Sequence, residues 1–125
     1  MMSSKLILSP LPHTWIFDVD GTLVIHNGHK TGEDIILGGV QHLFQKIPAN
    51  DMIILLTSRT EDEKDNLRNF LQKYGLRYDH IIFNVPVGER ILVNDDKPSG
   101  LKTSYAIGKR RDEALEISFL VDENL

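Results

Sequence analysis

The stretch Thr14-Trp15-Ile16-Phe17-Asp18-Val19-Asp20-Gly21-Thr22-Leu23 runs from an apolar block straight into two carboxylates and a glycine. Trp15-Ile16-Phe17 has no polar alternation. A continuous block of this kind is the pattern of a strand buried on both faces, as in a parallel sheet covered by helices. Gly21 relaxes the backbone where the chain must turn sharply out of that strand. Two acids one residue apart at a strand end repel each other unless a cation or a shared proton lies between them. The same residues also read as an acidic turn, because Asp-Gly is a common turn pair.

Further along, Met52-Ile53-Ile54-Leu55-Leu56 repeats the continuous block. Strands are expected over 14–19, 52–57, 80–83, 90–94 and 104–107. Between the first two lies a helical pattern over 39–47, with Val40, Leu43, Phe44 and Ile47 on one stripe and Pro48 as its stop. A second helix starts at Thr60, where Glu63 completes a capping box and Glu61 and Asp62 add negative charge at the positive end of the dipole. Its stripe is Leu67, Phe70, Leu71 and Tyr74, and Gly75 ends it. Residues 117–121 read equally as a last strand or a short helix. Strands alternating with helices predict a single α/β domain over residues 1–125, an open, mainly parallel, Rossmann-like sheet flanked by helices.

Composition narrows the chemistry. At 125 residues the chain is the size of one domain, and its 41% apolar content is ample for one core. It has no cysteine, which excludes disulfides, thiolate metal sites and cysteine nucleophiles together. His13, His26, His29, His42 and His80 show no zinc-binding spacing. A net charge of −4 argues against a nucleic-acid-coating surface, and no apolar run approaches the ~20 residues that span a bilayer. The amino-terminal apolar stretch is too short for a secretory signal, so a cytoplasmic protein is expected.

In an open α/β sheet, ligands gather beyond the carboxyl ends of the strands. Three such ends carry chemistry here: Asp18-Val19-Asp20-Gly21-Thr22, Thr57-Ser58-Arg59 and Asn94-Asp95-Asp96-Lys97. Thr57-Ser58-Arg59 also reads as ordinary helix entry, and Asp95-Asp96 as a solvated turn before Pro98. A hard cation such as Mg2+ is the natural neutraliser for paired carboxylates.

Phe17-Asp18-Val19-Asp20-Gly21-Thr22-Leu23 resembles the first motif of the haloacid dehalogenase (HAD) superfamily of phosphohydrolases, and the resemblance extends over about residues 15–107. It implies that Asp18 is the nucleophile that becomes an aspartyl phosphate, and that Asp20 is the general acid and then the general base. It further implies that Thr57 holds the phosphoryl oxygens, helped by Gly21 and Ser58. Asp18, Asp20 and Asp95 would bind Mg2+, supported by Asp96. The family's phosphate-shielding base falls on Lys97 or Arg90. Lys97 is preferred because it follows the carboxyl end of its expected strand.

Insertions are too short for a cap domain, since residues 24–38 suffice only for a flap and 84–89 only for a loop. Water exclusion in such a capless member must come from the flap, from a partner subunit in a homo-oligomer, or from a bulky substrate. His26, Asn27, His29 and Lys30 lie on that flap, where they read either as leaving-group contacts or as exposed loop residues. The expected substrate is a small phosphorylated metabolite, a sugar phosphate or a nucleotide. The competing readings are a phosphatase for a polymeric or protein substrate, and a binding or regulatory module that keeps the fold without turnover.

Overall fold

The computed structural model describes residues 4–125, the side chains of His29 and Thr31 excepted. In chain order the elements are β1 (Ser4–Leu8), β2 (Thr14–Asp18), α1 (Gly28–Thr31), α2 (Val40–Lys46), β3 (Met52–Leu56), a 3-10 turn (Glu61–Glu63), α3 (Lys64–Lys73), β4 (His80–Ile82) and β5 (Ile117–Val121). The fold is α/β, with parallel strands in two sheets. One sheet has the order β2-β3-β4, and the other is the pair β1-β5. Parallel neighbours need a crossover, and α2 and α3 supply the two inside the larger sheet. No helix among the described residues is long and apolar enough to cross a membrane.

One core holds the molecule together. Trp15 and Phe17 from β2, Ile53 and Leu55 from β3, Val40, Leu43 and Phe44 from α2, and Leu67 and Leu71 from α3 are all buried in one cluster. The Phe17 and Phe44 rings lie 4.9 Å apart, tying β2 to α2. The smaller sheet joins this core through Phe119, whose ring is 5.3 Å from that of Trp15. The end of α3 follows the glycine rule closely. Gly75 sits at φ +66°, and the amides of Gly75 and Leu76 donate back to the carbonyls of Gln72 and Leu71, the two bonds of a Schellman motif.

Four expectations are corrected. Residues 90–94 and 104–107 form no strand. Ile91 is 87% exposed, and residues 84–110 are irregular with no helix or strand, so their β-favouring side chains have no ladder to join. The continuous blocks are fully buried on one face only: Trp15, Phe17, Ile53 and Leu55 enter the core, while Ile16 and Met52 stay exposed and Ile54 and Leu56 are half-buried. The buried residues of both helices share one cluster with the first face, which leaves the second only partly covered. Finally, Thr60 makes no side-chain cap, because its hydroxyl bonds to the Asp62 carboxylate instead, and the helix entry is a 3-10 turn. The alternative left open at 117–121 resolves as a strand, paired in parallel with a β1 that local pattern did not reveal.

Candidate active site

The carboxyl ends of β2 and β3 are neighbours, with Asp18 opposite Leu56 in the register. This pairing brings the Asp18–Thr22 turn alongside Thr57-Ser58-Arg59. After β2 the chain turns at once: the amides of Leu23 and Val24 donate to the Val19 carbonyl, and that of Gly21 to the Val24 carbonyl. Gly21 has φ +85°, and a Cβ there would lie 3.1 Å from Cγ of Arg111. The positive φ favours glycine at residue 21, and a Cβ there would also crowd the Arg111 side chain.

Asp18 ends β2 with its side chain 44% exposed. It accepts a hydrogen bond from the Thr22 hydroxyl at 3.2 Å, and the Arg90 guanidinium stands 3.6 Å away. Burial pushes its carboxyl above the usual aspartate range and the nearby Asp20 adds to this, against the opposing pull of Thr22, Arg90 and the Val19 amide.

Asp20 is more deeply buried than Asp18, with its side chain 10% exposed. Arg59 grips it with two hydrogen bonds, Nε to Oδ2 at 3.2 Å and Nη2 to Oδ1 at 2.8 Å, and the Thr57 hydroxyl donates to Oδ2 at 3.4 Å. Thr57 is fully buried, and its hydroxyl accepts from the Arg59 amide at 3.1 Å. Arg59 also holds Asp34 with two hydrogen bonds, at 3.0 and 2.7 Å. Burial alone would lower the Arg59 pKa. The hydrogen bonds it donates to Asp34 and Asp20 outweigh it and hold the guanidinium above its ordinary value.

The 24–38 flap is a narrow hairpin. The Ile25 amide donates to the Ile35 carbonyl and the Leu37 amide to the Leu23 carbonyl, with α1 at the tip. Flap residues His26, Asn27 and Lys30 face Asp20, Ser58, Arg59, Thr60, Asp62 and Glu63 across an open cleft of about 390 Å³. The cleft walls carry three carboxylates against two cations, so the cleft alone does not draw an anion. Positive charge comes from just outside it. Besides Arg90, Lys109 donates from Nζ to the Gly21 carbonyl at 2.9 Å. Burial lowers the Lys109 pKa, opposed by Asp112 and Glu113.

The structure thus sets Asp18 and Thr57 each beside Asp20, which lines the cleft with Ser58 while Asp18 lies outside its lining, and it leaves the third strand-end motif apart. Asp95 and Asp96 lie in an exposed loop closed on Thr103: its hydroxyl donates to the Asp95 carbonyl, and its amide donates to Asp96 Oδ1 at 3.3 Å. Lys97 closes a turn in the same loop, with its amide donating to the Leu101 carbonyl. The base beside Asp18 is Arg90, and Lys97 makes no ion pair with Asp18 or Asp20 among the described residues. Nor does any group of three or more His, Asp or Glu residues stand where it could hold a metal ion, again among the described residues. The expected ligand set Asp18, Asp20 and Asp95 is therefore not assembled in this arrangement, and the Asp20 carboxylate is committed to Arg59. Arg59 is read from the sequence only as the end of Thr57-Ser58-Arg59 and Asp34 only as part of the 24–38 flap; neither receives a role there, because their partnership spans 25 residues and leaves no local pattern. Comparison with protein-family models, with curated proteins and with solved structures found no match.

Proposed function

We propose that the chain is a capless, HAD-like phosphohydrolase that cleaves phosphomonoesters of small metabolites through an aspartyl phosphate on Asp18. The observation that carries this reading is the pairing at one sheet end. Asp18 lies at the open end of β2 beside a cation, and Asp20, two residues on, is held in a fixed pose beside the Thr57 hydroxyl.

In the proposed reaction an Asp18 carboxylate oxygen attacks phosphorus, and the bond from phosphorus to the ester oxygen breaks. Asp20 gives its proton to the departing oxygen, which leaves as an alcohol. Water then attacks the phosphoryl group and passes a proton to Asp20, and the bond from phosphorus to Asp18 breaks to release phosphate. Arg90 beside Asp18 reduces the repulsion between carboxylate and phosphate dianion. Mg2+ belongs to the proposal as the cofactor that the resemblance implies. No step is routed through it, because its expected ligands do not converge here.

The test is phosphate release from a panel of phosphate esters, with Mg2+ or with EDTA, by the wild type and by Asp18→Asn. Turnover should fall by about 10³-fold or more in the variant, the scale expected when a covalent nucleophile is removed. A variant as active as the wild type would end the proposal. The separation of Asp95 from the other acids favours a second reading, a ligand-binding module without turnover. A folded protein that binds phosphate esters but hydrolyses none would establish it.

A further inference from the structure

We propose that Arg59 is a positioning residue that fixes the Asp20 carboxylate in its proton-transfer pose and ties that pose, through Asp34, to the flap. The inference rests on the phosphohydrolase reading and deepens it. The Arg59 side chain is 1% exposed, and its two partners are 10% (Asp20) and 6% (Asp34) exposed. Four hydrogen bonds, two to each carboxylate, make a bidentate fork on each side, which sets orientation as well as distance. With Asp20 ionised the fork carries one positive charge against two negative ones, and with Asp20 protonated, as the acid step requires, the charges balance. It has no surplus charge with which to draw a phosphate, so its work lies in orienting its partners.

The three residues come from three different places. Asp20 belongs to the turn after β2, Arg59 to the chain just past β3, and Asp34 to the returning arm of the flap. A general acid must point at the leaving oxygen within narrow limits, and loss of that alignment costs rate even when the acid itself is present. Asp34 sits one residue before Ile35, whose carbonyl pins the flap to Ile25. The pose of the acid and the position of the flap are therefore set by one buried side chain.

The test compares two esters. A p-nitrophenolate leaves without needing a proton, whereas an alkoxide requires one. Steady-state kcat and KM are measured for p-nitrophenyl phosphate and for an alkyl phosphate, using wild type, Arg59→Lys and Asp34→Asn with Mg2+, alongside thermal melting. Lysine keeps the charge and loses the fork. The expected result for Arg59→Lys is a kcat about 100-fold lower on the alkyl ester and less than about 10-fold lower on the aryl ester, with KM little changed, since general acid catalysis is what is lost. Adding Asp20→Asn to Arg59→Lys should lower the alkyl rate little further, because the two act as a unit. Equal losses on both esters, tracking the melting temperature, would overturn the inference and leave Arg59 a structural clamp. If Arg59→Lys fails to fold, Asp34→Asn decides the matter by the same ratio, since it opens the far half of the fork only. A wild type inactive on both esters sinks the phosphohydrolase reading itself. An active wild type with equal losses sinks only the role of Arg59.

Discussion

The two ends of the larger sheet use the same kinds of residue for different ends. At the amino end Asp51, just before β3, is 3% exposed and enclosed by donors: the His13 amide at 2.9 Å, His13 Nδ1 at 2.8 Å and Trp15 Nε1 at 3.0 Å. The second ring nitrogen of His13 lies 2.9 Å from the Ser9 carbonyl oxygen, so the cluster closes on itself. At the carboxyl end Asp18 and Asp20 are also hydrogen-bonded, but Asp18 is half open to solvent and Asp20 lines a cleft. A buried carboxylate with every partner supplied by neighbouring chain fastens the fold, whereas one whose partners leave it at an open surface can meet a substrate. Residue type does not separate the two cases; access does.

The largest effect is expected at the amino end. Asp51→Ala strands the Trp15 and His13 donors in the interior and should cost about 3–5 kcal/mol of stability, the range for removing one partner of a buried charged cluster. Activity per folded molecule should be unchanged, which denaturant melts read together with kcat on the folded fraction would establish. Lost turnover at unchanged stability would mean that the ends are not divided as described.

A smaller effect follows from pH, where the two ends are displaced in opposite directions. Burial opposes ionisation of Asp51, but the hydrogen bonds from His13 and Trp15 prevail and hold its carboxyl below the usual range. A carboxyl depressed in the folded state stabilises above its unfolded pKa, and that contribution is lost as pH falls through the folded value. Asp18 is displaced upward, so its nucleophilic carboxylate is protonated at a higher pH than an ordinary aspartate. On acidification kcat/KM should therefore fall first, and stability only at lower pH. Parallel titrations of rate and melting temperature check the order, and simultaneous loss of both would remove the distinction.

The sequence made some of this legible and hid the rest for physical reasons. β2, β3 and β4, the α2 stripe and the Gly75 stop were readable because apolar period and glycine chemistry are local. β1 was not, because its partner β5 lies at the other end of the chain, Ser4 opposite Ile117, and such a pairing leaves no mark in either segment alone. Ile91-Leu92-Val93 has strand propensity, yet propensity without a partner makes no ladder. Residues Asp18, Asp20, Gly21 and Thr57 were legible as a strand-end constellation. Arg59 as the fork between Asp20 and Asp34 was not, since a side-chain pairing across loops has no period.

Transfer of the phosphoryl group to Asp18 can be observed directly. Wild-type protein turning over a phosphate ester with Mg2+ is quenched in acid, digested and mapped by mass spectrometry, with and without hydroxylamine. A phosphoryl group is expected on the peptide carrying Asp18, removed by hydroxylamine as an acyl phosphate would be and missing in Asp18→Asn. Rapid turnover with that peptide unlabelled, or a label that persists in Asp18→Asn, would contradict transfer to Asp18.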